Sequence, residues 1–147
     1  MIPTRLVACA ICFIALAADP EAVQKTNFAG TWIIAPPSKS AGREVIVKQD
    51  DKTLTVTARR TTVHHLDGVE RRQAISTRIG EVVMLSKAAW ENRTVVITIA
   101  TSYPNKMKTL EREIWSIDPQ GRLLIELTIT AEGETPQVER TLHTRKS

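Results

Sequence analysis

From Thr53 to Arg145 the chain keeps alternating apolar and polar residues with a period of two, and no other feature restricts its fold as strongly. Leu123, Ile125, Leu127 and Ile129 stand opposite Glu126, Thr128 and Thr130. Val95, Ile97 and Ile99 share a face against Thr98 and Ser102, and Leu54, Val56 and Ala58 alternate with Thr53, Thr55 and Thr57. Successive side chains of a strand point to opposite faces, so this pattern, rich in Val, Ile and Thr, specifies half-buried strands. No window of helical length places apolar residues at three-and-four spacing, so little or no helix is expected in the mature domain.

Turn residues separate these runs at Asp50-Asp51-Lys52, Asp67-Gly68, Glu91-Asn92-Arg93, Asp118-Pro119-Gln120-Gly121 and Glu132-Gly133-Glu134. Each is short enough to join antiparallel neighbours. The expected strands are Gly30 to Ile34, Arg43 to Gln49, Thr53 to Thr61, Thr62 to Leu66, Val69 to Arg78, Val82 to Trp90, Thr94 to Ser102, Lys108 to Ile117, Arg122 to Thr130 and Gln137 to Arg145, with the third and fourth readable as one long bulged strand. The segment Ala35 to Gly42 is the one long excursion between strands. The fold class is therefore all-β: an antiparallel up-and-down meander of about eight to ten strands that closes into a barrel, because closure removes exposed edges. A two-sheet sandwich is the architectural rival.

The N-terminus reads differently. Met1 to Arg5 carries one positive charge, Leu6 to Leu16 is an unbroken apolar run, and Ala15-Leu16-Ala17 precedes Ala18-Asp19-Pro20. A run that short does not span a bilayer, which takes ~20 residues. The order of charge, apolar run and small residues is that of a secretory leader. The expected organisation is a signal peptide over 1–17, an N-terminal extension over 18–29 and a barrel domain over 30–147, in a secreted or periplasmic protein with no stable membrane insertion after cleavage. Leu6-Val7-Ala8-Cys9 superficially matches a lipoprotein box, but Cys9 comes too early to leave an apolar core before it. Cys9 and Cys12 both lie in the leader, so the mature chain has no thiol or disulfide.

Composition limits the partners. Lys and Arg total 20 against 16 Asp and Glu, and aromatics are 4%. The basic residues are interleaved with acids, and with few aromatics nucleic acid is not an expected partner.

Phe28-Ala29-Gly30-Thr31-Trp32 resembles the F-x-G-x-W opening of the calycins, the group that includes lipocalins and fatty-acid-binding proteins. Together with Pro37-Ser38-Lys39-Ser40, the hairpin from Gln49 to Thr57 and the turn Trp115-Ser116-Ile117-Asp118-Pro119-Gln120-Gly121, it resembles small secreted bacterial lipocalin-like proteins. The resemblance implies a lipocalin-like barrel with Gly30 and Trp32 at its floor, and an arginine of the last strand, Arg140 or Arg145, stacked over the indole. The chain departs from these families in lacking a helical pair after the first strand and a Thr-Asp-Tyr motif, and in carrying Leu142 where the fatty-acid-binding proteins have tyrosine.

Nothing in the chain specifies an enzyme, a cofactor or a metal centre. His64 and His65 are adjacent, so on a strand they face opposite ways and do not ligate one ion. No glycine-flanked nucleophile and no phosphate-cradling glycine run occurs. Glu111 and Glu113 share a strand face in an arginine-rich stretch, which favours cross-strand ion pairs. Trp90, Tyr103 and Trp115 lie near strand ends, where they either stack on an apolar guest at a barrel mouth or cap the core.

Two functions fit an exported barrel: binding of a small apolar or amphipathic ligand, with Trp90, Tyr103 and Trp115 as contacts, or an envelope interaction module, such as an inhibitor of an exported hydrolase using the segment from Asp19 to Asn27 as an inserting strand. Catalysis ranks below both. Interior chemistry separates the first two, and the bulky rows Leu123 to Ile129 and Val95 to Ile99 favour a filled interior.

Overall fold

The computed structural model describes residues 24–147. The leader over 1–17, with Cys9 and Cys12, and the first part of the 18–29 extension lie outside the described residues. Ten strands follow: β1 (Gly30–Ile34), β2 (Glu44–Gln49), β3 (Thr53–Thr57), β4 (Thr61–His65), β5 (Arg71–Thr77), β6 (Gly80–Glu91), β7 (Thr94–Ser102), β8 (Lys108–Ile117), β9 (Leu123–Ala131) and β10 (Gln137–Arg145). Among the described residues there is no helix.

All ten strands belong to one antiparallel sheet in the order β4-β3-β2-β1-β10-β9-β8-β7-β6-β5, which excludes the two-sheet sandwich. First and last strands meet: Trp32 stands opposite Arg145 and Ile34 opposite His143. The outermost strands, β4 and β5, are consecutive in the chain, so the sheet curls into a half-barrel that is open between them. Near the seam's lower end, Asp67 bridges to Ala89 and the Gly68 amide donates to the Ala88 carbonyl at 2.9 Å. Above that point β4 follows β3 and β5 follows β6, and the two diverge. Their lengths explain the incomplete closure, since β1 to β4 have 5 or 6 residues whereas β6 to β10 have 9 to 12.

Register and alternation assign the faces. Trp32, Val45, Val47, Leu54, Ala88, Val95, Ile97, Trp115, Leu123 and His143 point to the concave side and are buried. They gather in the lower half, where β1 starts and the β6–β7 and β8–β9 turns lie. Phe28, which precedes β1 and is fully buried, completes this core. The upper half of the concave side is more polar, with Thr101, Thr109, Glu111 and Glu139 among Ile99, Leu127 and Ile129. The interior is therefore filled at the floor and open at the top.

Two strands form here as expected, but their boundary lies earlier. Residues 53–61 do not run through, because the Ala58 amide donates to the Arg60 carbonyl at 3.1 Å and turns β3 back into β4. That turn contains no glycine, proline or asparagine, so its sequence gives no sign of it.

Candidate functional site

The floor is built around the F-x-G-x-W segment. Trp32 is fully buried, and its Nε1–H donates to the Phe28 carbonyl at 2.9 Å. This bond folds the four preceding residues under the indole as a strap. Gln49 holds the strap from the other side: its Oε1 accepts the Phe28 amide at 2.8 Å and its Nε2 donates to the Thr26 carbonyl at 3.0 Å. The Arg145 guanidinium lies 4.5 Å from the Trp32 ring centroid and donates to the Ala29 carbonyl at 3.1 Å. A cation held over indole in this way contributes about 0.5–2 kcal/mol. Gly30 has φ +147°, and a Cβ there would sit 2.8 Å from Arg145 Nη1, so only glycine lets the arginine come down.

Arg140 does not share this place. It differs from Arg145 by an odd number of residues, so alternation puts it on the convex face, where it donates to Glu126 at 2.6 Å. Arg145 alone covers the floor tryptophan.

The structure brings Trp90 and Trp115 together but not Tyr103. Phe28 stacks on Trp90 at 5.9 Å between centroids and meets Trp115 edge-on at 6.2 Å. Both indoles belong to the floor, with Lys25 5.8 Å from the Trp90 ring centroid on its outer side. Tyr103 lies at the opposite end, in the β7–β8 loop, where its amide donates to the Met107 carbonyl at 2.9 Å.

Glu111 and Glu113 do share a face, and it is the concave one. They make no ion pair among the described residues, because the neighbouring arginine, Arg112, points outward and pairs with Glu91 at 3.6 Å. Glu113 accepts the Trp115 Nε1–H at 2.8 Å instead. Burial, then the like charge of Glu113, pushes the Glu111 carboxyl above its ordinary range. His64 faces inward and His65 outward, as adjacency requires. Burial holds the His64 and His143 imidazoles below their ordinary 6.5.

These shifts predict a pH dependence with two signs. The unfolded chain protonates His64 and His143 more readily than the fold does, so stability falls as pH drops from 6.5 through their lower folded values. Glu111 acts in the opposite sense: its contribution is present at low pH and is lost as pH rises through its elevated folded value. In urea unfolding, Glu111→Gln raises the midpoint at neutral pH with no gain in acid, and His64→Gln flattens the decline below 6.5. A decline unchanged by His64→Gln contradicts the assignment.

A wide cleft lies at the top of the short wall. A cavity of about 840 Å³ opens between the β1–β2 loop and the β3–β4 turn, with Ile34, Val45 and Ala58 as its apolar base. All three occupy concave-face positions, so the cavity sits directly above the packed core. Arg43, Arg59 and Arg60 form its rim. Glu44 also borders it, but this carboxylate is engaged by Lys146 on the convex side. None of the three arginines joins an ion pair among the described residues, so the rim carries uncompensated positive charge over an apolar base.

A second depression, of about 650 Å³, runs below the floor along the strap and the β8–β9 turn. Lys25 and Arg93 line it and form no ion pair among the described residues, but they share it with the Asp118 carboxylate and it has only Ile117 and Pro119 as apolar lining. Among the described residues no group of three His, Cys, Asp or Glu side chains is placed to hold a metal ion.

The rim was missed in the sequence because Arg43 and the Arg59-Arg60 pair are well separated. The signal was present in the topology. In a meander, alternate connections fall at the same end, so the first loop and the third connection must adjoin.

The chain matches no model of a known protein family, and no curated protein matches its sequence.

Proposed function

We propose that this is an exported, lipocalin-like, non-enzymatic binding protein that takes a small amphipathic molecule with an anionic head into the cleft above its core. The observation that carries this reading is the pairing of an apolar base, Ile34, Val45 and Ala58, with the guanidinium groups of Arg43, Arg59 and Arg60, which join no ion pair among the described residues. Ligand sites combine an apolar lining with a few placed polar groups, and guanidinium matches carboxylate and phosphate geometry through paired donors. The rest of the cup favours the same orientation. Glu111, Glu113 and Glu139 on the concave face of β8 and β10 repel an anion and direct it to the arginine side. The leader-like N-terminus supports an extracytoplasmic location, and the F-x-G-x-W floor with its arginine lid supports kinship with the calycins.

Calorimetric titration tests the reading. Dodecanoate binds the mature chain with one-to-one stoichiometry, whereas dodecyltrimethylammonium, with the same tail and opposite charge, does not. Replacing Arg43, Arg59 and Arg60 by alanine together weakens dodecanoate binding by at least ~30-fold, as removal of several charge-assisted contacts requires. Equal affinity for the two detergents, or no change in the triple variant, contradicts it.

A further inference from the structure

The β5–β6 connection is a tight turn made by Arg78 and Ile79. Such positions are ordinarily filled by Gly, Asn or Asp, which tolerate the backbone and solvate well. Here the tip carries a β-branched aliphatic residue. Ile79 is 79% exposed, more than any other large apolar side chain among the described residues. The β7–β8 connection lies at the same end of the sheet and presents a second one, with Met107 45% exposed. The two connections touch. Gly80 has φ +127°, and a Cβ there would lie 2.9 Å from the Pro104 Cβ, so the missing side chain lets the hairpin tip seat against the neighbouring loop. That loop is itself held by bonds from the Lys106 amide to the Tyr103 carbonyl at 3.0 Å and from the Tyr103 amide to the Met107 carbonyl at 2.9 Å. Ile79 and Met107 therefore stand on one fixed prominence at the lip of the cup.

Cations surround them. Arg78 precedes Ile79, and Lys106 and Lys108 flank Met107; all three are exposed and join no ion pair among the described residues. Lys106 holds φ +65°, a left-handed backbone in which glycine or asparagine is relaxed, so a cation occupies a place that local conformation does not favour. Glu81, the acid nearest the turn in sequence, is engaged by Arg72 at 3.2 Å. Glu132 and Glu134 stand in the β9–β10 connection, beyond Lys108, while the Arg59-Arg60 turn lies on the other lip of the open seam. The seam side of the mouth is thus positively charged.

We infer that this prominence docks the mouth of the cup on an anionic phospholipid bilayer, with Ile79 and Met107 inserted at the headgroup level and Arg78, Lys106 and Lys108 against lipid phosphates. The docking is independent of what the arginine-rimmed cleft takes. Shape and size select a membrane over a protein. A stable protein interface buries about 1,200 Å² or more in total over a broad complementary patch, whereas the apolar surface here is two side chains on adjoining turn tips. A bilayer interface needs no complementary shape: it accepts apolar side chains to a depth of about 5–10 Å and attracts each nearby Lys or Arg to its anionic surface.

Co-sedimentation with lipid vesicles tests this on the 18–147 chain. The wild type binds vesicles of phosphatidylglycerol and phosphatidylcholine in equal parts, does not bind phosphatidylcholine alone, and loses affinity as salt is raised. Ile79→Ser with Met107→Ser weakens binding about tenfold or more, as loss of two inserted apolar side chains requires. Arg78→Glu with Lys106→Glu weakens it to a similar extent, because two attractions to the surface become repulsions. Ile79→Trp binds more tightly than wild type, since indole favours the bilayer interface, and its added fluorescence shifts to the blue on vesicles. None of these positions lines the cleft or belongs to the core, and an unchanged thermal midpoint in each variant shows that the fold is intact. A wild type that ignores anionic vesicles, equal binding to both lipid compositions, or serine and glutamate variants that bind like wild type overturn the inference. Self-association of the wild type that Ile79→Ser abolishes, without vesicle binding, overturns it in favour of a second copy of the chain.

Discussion

Trp32→Ala lowers the free energy of unfolding by about 3–5 kcal/mol, as removal of a fully buried indole does. The loss has identifiable parts. The largest is the transfer and cavity cost of the ring, which lies among Phe28, Val45 and Val47 in a core with little freedom to collapse. The bond from Nε1 to the Phe28 carbonyl also disappears, releasing the strap, and Arg145 loses the surface over which it stacks. Trp32→Phe keeps most of the apolar volume but not the donor, so it is intermediate. Urea unfolding of the purified 18–147 chain measures both. A Trp32→Ala effect within experimental error removes Trp32 from the floor and the floor from the account.

Phe28→Ala destabilises by a comparable ~3–5 kcal/mol, although Phe28 belongs to no strand. The expectation rests on what the ring touches. It is fully buried, stacks on Trp90 and meets Trp115 edge-on, so its removal opens a cavity beneath two indoles and leaves residues 24–27 held mainly through Gln49 and Arg93. Aromatic pairs of this geometry add about 0.5–1.5 kcal/mol beyond burial. A second readout distinguishes this plug from a general packing position: acrylamide quenches tryptophan fluorescence more strongly in Phe28→Ala than in wild type under native conditions. If stability drops and quenching does not, Phe28 supports the core without sealing it.

The elements with the clearest alternation were legible in the sequence, and the reason is local. β7, β8 and β10 have the expected limits because each is bounded by recognisable turn residues. Where boundaries depend on pairing rather than composition, local reading falls short. The Ala58-Arg59-Arg60 turn is held by one backbone bond and has no turn-forming residue, so the sequence puts the boundary between β3 and β4 at 61/62 instead of at 58–60 and leaves a single bulged strand open. Glu111 and Glu113 were expected in ion pairs because arginines surround them in sequence, but alternation sends Arg112 to the other face. The choice between Arg140 and Arg145 needed the register of β10 on β1, a contact between the two ends of the domain.

The functional residues divide in the same way. Gly30 and Trp32 stood out because a short motif carries them, and the aromatic residues stood out by type. Trp90 and Trp115 proved to flank Phe28 in the floor, while Tyr103 lies at the other end of the sheet. Arg43, Arg59 and Arg60 belong to two connections that only the meander brings side by side. The seam between β4 and β5 was likewise hidden, since it arises from unequal strand lengths on the two walls rather than from any residue.

The central claim is that the cup binds at its arginine-rimmed top and not through its aromatic floor. Titrating dodecanoate into isotope-labelled mature protein and following backbone and indole resonances by NMR tests it most directly. The account predicts shifts concentrated at Ile34, Arg43, Val45 and Ala58 to Arg60, with the indole signals of Trp90 and Trp115 unmoved. Shifts centred on those two indoles, with the arginine rim silent, would contradict it.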